Sequence, residues 1–124
     1  MPNGFSFRES YLLCEAVPAD SLAQRFATPL YVYSQTAITD AFTEWTDAFG
    51  GADHLICFAV KANSNIAILK LLASLGSGFD IVSGGELKRV LAAGGNPAKV
   101  IFSGVGKAVE EIELALTAGI RCFN

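Results

Sequence analysis

Four short apolar runs recur along the chain, at residues 55–61 (LICFAVK), 79–83 (FDIVS), 100–104 (VIFSG) and 120–124 (IRCFN), with starts 24, 21 and 20 residues apart. Between them the apolar residues adopt helical spacing: Ile66, Leu69 and Ala73, then Leu87, Val90 and Leu91, then Val109, Ile112 and Leu116. Gly76, Gly94 and Gly119 stand where helices commonly end in a left-handed cap. The chain therefore reads as a repeated βα unit. Strands with few polar positions, each separated from the next by one helix, predict a parallel sheet covered by helices, with every crossover of the same hand. An open doubly wound sheet and a TIM barrel both satisfy this pattern. A barrel takes about 250 residues for eight units, so four strands in 124 residues amount to half of one. The last run reaches Asn124 without the helix that should follow it.

Ahead of the repeat, Pro18-Ala19-Asp20-Ser21 leads into a predicted helix through Phe26. Thr28-Pro29 breaks that helix before an extended run at 30–33 (LYVY), and 36–49 reads as a further helix with Ala37, Phe42, Trp45 and Phe49 on its apolar face. An apolar content of 52% with 17% charged residues excludes a chain that is disordered over long stretches. The longest apolar runs, such as 55–60, fall well short of the roughly 18 to 20 residues that cross a bilayer. A net charge of −3 provides no basic field for nucleic acid or an anionic membrane, so neither is expected as a partner. Met1-Pro2-Asn3-Gly4 does not open a secretory signal, which makes the cytoplasm the default location. Cys14, Cys57 and Cys122 are odd in number and form no C-x-x-C, so they read as reduced core thiols. With His54 as the one histidine, no metal site is expected.

Strand alternation over 55–61 puts Leu55, Cys57, Ala59 and Lys61 on one face and the bulkier Ile56, Phe58 and Val60 on the other. Lys61 then ends the strand on the small-residue face, at the carboxyl rim where α/β enzymes gather their reactive groups. An amine partly withdrawn from water there is suited to Schiff-base chemistry. The plainer alternative is a lysine that reaches into solvent from a strand end. Asp80 sits within the next strand between Phe79 and Ile81, where a carboxylate needs a partner. Lys61 is the natural candidate, and backbone N–H groups at a turn are the other.

Three βα junctions share small and polar residues: 61–65 (KANSN), 83–86 (SGGE) and 103–107 (SGVGK). Ser83 and Glu86 fit a capping box. Gly104-Val105-Gly106-Lys107 hints at a phosphate loop, but Ala108 stands where Ser or Thr is required, so a turn is expected. Gly76-Ser77-Gly78 precedes a strand and lacks the third glycine of a dinucleotide fingerprint. His54, on that same far rim, is expected to be structural.

AVKANSN around Lys61, together with GSGFDIVSGGEL around Asp80, resembles the fold-type III pyridoxal-phosphate decarboxylases, and most closely the branch that acts on diaminopimelate. Leu13-Cys14-Glu15, TPLYVYS at 28–34, VIFSGVGK and GIRCFN extend the resemblance nearly end to end. The resemblance implies an α/β fold: the first half of a TIM-type (β/α)8 barrel, about four βα units. Residues 35–124 would form that truncated half, beginning with the helix at 36–49, and residues 1–34 would contribute to a second, β-rich domain. It also implies that Lys61 is the catalytic lysine that bonds pyridoxal 5'-phosphate and that Asp80 is the acidic residue beside it at the cofactor. The implied reaction converts meso-2,6-diaminopimelate, a small amino-acid substrate, to L-lysine and CO2 in a cytoplasmic homodimer. Pieces of the family's site are missing here, among them its phosphate loop, its ring-stacking histidine and its substrate-binding Arg and Tyr. The 124-residue chain alone is accordingly expected to be inactive. The rival expectations are a decarboxylase of ornithine, arginine or carboxynorspermidine, a non-catalytic pyridoxal-phosphate carrier, and a four-strand binding module with no cofactor.

Overall fold

The computed structural model describes residues 4–124, which fall into two units divided between Trp45 and Thr46. In the first unit, short alternating segments form an antiparallel sheet ordered β1 (Phe5–Arg8), β2 (Tyr11–Cys14) and β3 (Val17–Pro18). Phe5 pairs with Cys14 and Arg8 with Tyr11, so Glu9 and Ser10 make a two-residue hairpin connection. Helix α1 (Ala19–Phe26) follows where the Pro18 start signal put it. The expected extended run at 30–33 forms no strand; Tyr31 is 85% exposed and the segment is an irregular connection.

Helix α2 (Gln35–Ala48) begins one residue earlier than its apolar pattern implied. Its first turn is capped by two side chains. Ser34 Oγ accepts from the Ala37 N–H at 3.0 Å, and Glu15 Oε1 accepts from the Thr36 N–H and from Ser34 Oγ, both at 2.9 Å. A carboxylate from the β2–β3 turn thereby meets the positive end of the helix. The Thr36 N–H, then the Ser34 hydroxyl, hold the Glu15 carboxyl below the usual range.

The second unit delivers the repeat: β4 (Cys57–Ala59), α3 (Ile66–Ser74), β5 (Gly78–Ile81), α4 (Gly84–Ala92), β6 (Val100–Phe102), α5 (Val109–Ala118) and β7 (Cys122–Phe123). All three pairings are parallel and the order is β4-β5-β6-β7. Each strand is shorter than its apolar run. Gly76, Gly94 and Gly119 take φ of 90°, 81° and 71° after the three helices, as their position required.

Register separates the two faces of this sheet. Phe58, Phe79 and Val100 align on one face, which continues through Ile81 and Phe102. Phe79, Ile81, Val100 and Phe102 are fully buried, together with Leu69, Leu87, Val90 and Ala115 from the helices. Ala59, Asp80, Ile101 and Cys122 align on the other face, where every one of them is half-buried or exposed. The expected small-residue face is therefore the open one. Of the thiols, only Cys14 is a core residue; Cys57 is half-buried and Cys122 exposed, since both lie on that open face. Among the described residues, no helix is long and apolar enough to cross a membrane.

Candidate active site

Strand β4 stops at Ala59, and Val60–Ala62 forms a single 3₁₀ turn. Val60 is fully buried and anchors the turn, while the next residue, Lys61, is exposed. Two asparagines then redirect the chain into α3: Asn63 Oδ1 accepts from the Asn65 N–H at 3.0 Å, and Asn65 Oδ1 caps the helix through the Ala67 N–H at 2.9 Å. The motif around Lys61 is thus a rigid turn that presents an amine at the carboxyl end of β4. Lys61 lies beyond the strand, so alternation along 55–61 does not assign it to the Cys57–Ala59 face as expected. Among the described residues its side chain makes no hydrogen bond or ion pair.

Asp80 belongs to β5 and sits on the open face, in register with Ala59 on one side and Ile101 on the other. Its partner is Ser103, which donates from Oγ to Asp80 Oδ1 at 2.5 Å, and not Lys61. Lys61 has left the ladder at Ala59, whereas Ser103 continues it by donating its N–H to the Ile81 carbonyl at 2.8 Å. Ser103 stands two residues beyond Ile101 and hence on the Asp80 side of β6; counting by twos along the two strands would have found it. Burial, then the Asp80 charge, push the Cys57 thiol up.

The other two junctions close on themselves. Ser83 Oγ caps α4 by accepting from the Glu86 N–H at 3.2 Å, as expected, but Glu86 Oε2 returns to the Val82 N–H at 2.8 Å, one residue short of a regular capping box. Glu111, which carried no signal as a site residue, accepts from the Gly84 N–H at 2.6 Å through Oε1 and from the Ala108 N–H at 3.0 Å through Oε2. One carboxylate therefore joins the N-termini of α4 and α5. Lys107 donates to the carbonyls of Gly104 at 2.5 Å and Asn124 at 2.8 Å, which makes Gly104–Lys107 the expected turn. His54 stacks on Phe49 with ring centroids 4.4 Å apart and bonds the Ala52 carbonyl at 2.7 Å, a structural role.

The Gly84 N–H, then that of Ala108, hold the Glu111 carboxyl below its ordinary range. A carboxyl lowered by folding stabilises fully above the ordinary carboxylate range and loses that contribution as pH falls through the folded-state value. Glu111→Gln is therefore expected to lower the unfolding temperature at pH 7, with a gap to the parent that narrows as pH falls below the ordinary carboxylate range. Thermal unfolding of both proteins across pH 3 to 7 checks this, and a gap that stays constant with pH would count against it.

Of the two lysines at this rim, Lys107 is committed to carbonyls and Lys61 is not. The N-termini of α3, α4 and α5 are each already met by a side chain of the chain itself, from Asn65, Ser83 with Glu111, and Glu111. The donor set left over is one free primary amine, with a carboxylate on the neighbouring strand. It suits an aldehyde at the amine end.

Residues 35–124 match the family model described as pyridoxal-dependent decarboxylase, pyridoxal binding domain. The chain is 65% identical over 113 residues to a diaminopimelate decarboxylase of Neisseria meningitidis serogroup B, covering 91% of this chain and 27% of that protein. It is 56% identical over 120 residues to the Pseudomonas aeruginosa diaminopimelate decarboxylase, covering 97% of this chain and 29% of that one. Its fold is similar to the crystal structure of the M. jannaschii diaminopimelate decarboxylase in complex with L-lysine, with a TM-score of 0.94 at 36% identity over 99% of this chain and 30% of that one. The chain thus spans less than a third of the length of these relatives.

Proposed function

The chain belongs to the pyridoxal-dependent decarboxylase family, as its match to that family's pyridoxal-binding domain over 35–124 shows, and from that premise we propose that the complete protein decarboxylates meso-2,6-diaminopimelate to L-lysine and CO2. The observation that carries this reading is the 65% identity to the Neisseria enzyme over 113 residues, a stretch long enough to include both Lys61 and Asp80 wherever it begins. The four parallel strands and the three helices between them belong to the first half of a TIM-type (β/α)8 barrel. On the same reading, residues 1–34 contribute to a β-rich domain and residues 35–124 to the barrel, a division supported by the family match starting at residue 35.

Pyridoxal phosphate, when bound, supplies an aldehyde that condenses with amines and a ring that takes up the electron pair left as the carboxylate departs. Lys61 is the residue we assign to that aldehyde. Its freedom from hydrogen bonds leaves the nitrogen lone pair available once the amine is unprotonated, and the Val60 anchor fixes where it is presented. Lys61 would hold the group through its amine between turnovers. Asp80 is assigned as the acidic group beside the cofactor, where its carboxylate would supply a hydrogen-bond acceptor. The family likeness also supports a homodimer in the cytoplasm.

Incubating the complete protein with pyridoxal phosphate, reducing with borohydride and mapping the labelled peptide tests the assignment. The expected result is a label on Lys61 together with CO2 release from meso-2,6-diaminopimelate in preference to ornithine or arginine. A label without turnover would make the protein a carrier, and an unlabelled Lys61 would overturn the assignment.

A further inference from the structure

Asp80 is a carboxylate inserted in a β-strand, and the two sides of it are unequal. Toward β4 its register partner is Ala59, a methyl group with nothing to donate. Toward β6 its register partner is Ile101, equally unable to donate, but the Ser103 hydroxyl one step further along the same face reaches Asp80 Oδ1 at 2.5 Å. Among the described residues this is the one hydrogen bond to the Asp80 side chain.

The donor itself is held firmly. The Ser103 N–H is tied to the Ile81 carbonyl at 2.8 Å, and Phe102 before it is fully buried in the core. The next residue, Gly104, turns away with φ of 93°. The terminal torsion of an aspartate is broad, so an untethered carboxylate would rotate over a wide range. A short bond from a hydroxyl on this anchored backbone restricts that rotation and leaves Oδ2 without a hydrogen-bond partner among the described residues.

We propose that Ser103 is a positioning residue of the site: by engaging Oδ1 it orients the Asp80 carboxylate, and so determines which oxygen Asp80 offers to Lys61 or to the pyridoxal phosphate bound there. This rests on the reading of Asp80 as part of the cofactor site. Ser103 touches neither reacting atoms nor cofactor in this role; it acts through Asp80 alone.

The test is a double-mutant cycle in the complete holoenzyme, with Ser103→Ala, Ser103→Thr, Asp80→Asn and the Ser103→Ala/Asp80→Asn pair. Each is read by the visible circular dichroism of the bound cofactor, by its affinity from fluorescence quenching on titration of apoprotein, and by kcat and KM. Ser103→Ala is expected to lower kcat roughly tenfold, as for loss of one hydrogen bond to a charged group, to change the dichroic band, and to leave KM within about twofold. Ser103→Thr, which keeps the hydroxyl, restores both readouts. In the Asp80→Asn background Ser103→Ala adds nothing further. An undiminished effect of Ser103→Ala in that background, or an inert Ser103→Ala beside a damaging Asp80→Asn, overturns the role of Ser103 while Asp80 stands. An inert Asp80→Asn instead removes Asp80 from the site and the inference with it. Ser103→Ala deletes a single oxygen, and far-ultraviolet dichroism together with the threonine rescue separates loss of fold from loss of orientation.

Discussion

Lys61→Ala in the complete protein is expected to abolish covalent attachment of pyridoxal phosphate and to lower kcat on the order of a thousandfold or more. Among the described residues the other lysine of this rim, Lys107, is bound to the carbonyls of Gly104 and Asn124. Lys61→Arg should fail equally: it retains the positive charge, but a guanidinium stays protonated and does not condense with an aldehyde. Neither change should disturb folding. Lys61 is exposed and its side chain has no partner among the described residues, so the stability cost should stay within about 0.5 kcal/mol. Absorbance of the bound cofactor, turnover and denaturant unfolding measured on the same preparations separate these effects. Appreciable turnover by Lys61→Ala would end the assignment.

The largest effect on stability is expected at the opposite face of the same sheet. Phe79 is fully buried, pairs in register with Phe58 and Val100, and is followed after one residue by the equally buried Ile81. Phe79→Ala removes the ring and leaves a cavity that rigid neighbours fill only partly, at a cost of about 3–5 kcal/mol. Leu116→Ala is the control. Its side chain is 64% exposed on α5, and truncating it should cost less than about 0.5 kcal/mol. Urea unfolding of both variants decides the matter, and equal midpoints would mean that the helix-covered face is not the core.

The repeat was legible because each βα unit writes its own boundaries. The apolar runs at 79–83 and 100–104 lie on β5 and β6, and Gly76, Gly94 and Gly119 stop their helices as expected. The three-stranded sheet at the start of the chain was not legible. Its strands are two to four residues long, and Phe5-Ser6-Phe7-Arg8 offers too few alternations to announce a strand. The run at 30–33 shows the converse error: LYVY has strong strand propensity, yet no ladder is formed there, and propensity without a pairing partner makes no strand.

At the site, residue identity was easier to read than geometry. Lys61 and Asp80 stood out as polar groups bordering apolar runs, but pairing them assumed that β4 persists to residue 61. It ends at Ala59, and Val60 turns inward to the core. Glu111 was hidden for a different reason: its bond to Gly84 spans 27 residues of sequence, and no local pattern announces a carboxylate that caps its neighbour's helix. Gly78 shows what a glycine that fits no motif can mean. A Cβ there would lie 2.6 Å from the Lys99 carbonyl oxygen and 2.7 Å from Cys57 Sγ, so the position serves close approach of backbone and not a ligand.

The asymmetry of the parallel sheet bears on how such a protein emerges during synthesis. Each strand from β4 to β6 seals its greasy side with helices that lie close by in sequence, so consolidation can keep pace with translation, unit by unit. The side carrying Asp80 has no such local cover. A nascent chain would travel from the ribosome with its helix-covered wall finished and the face that carries Asp80 still wet.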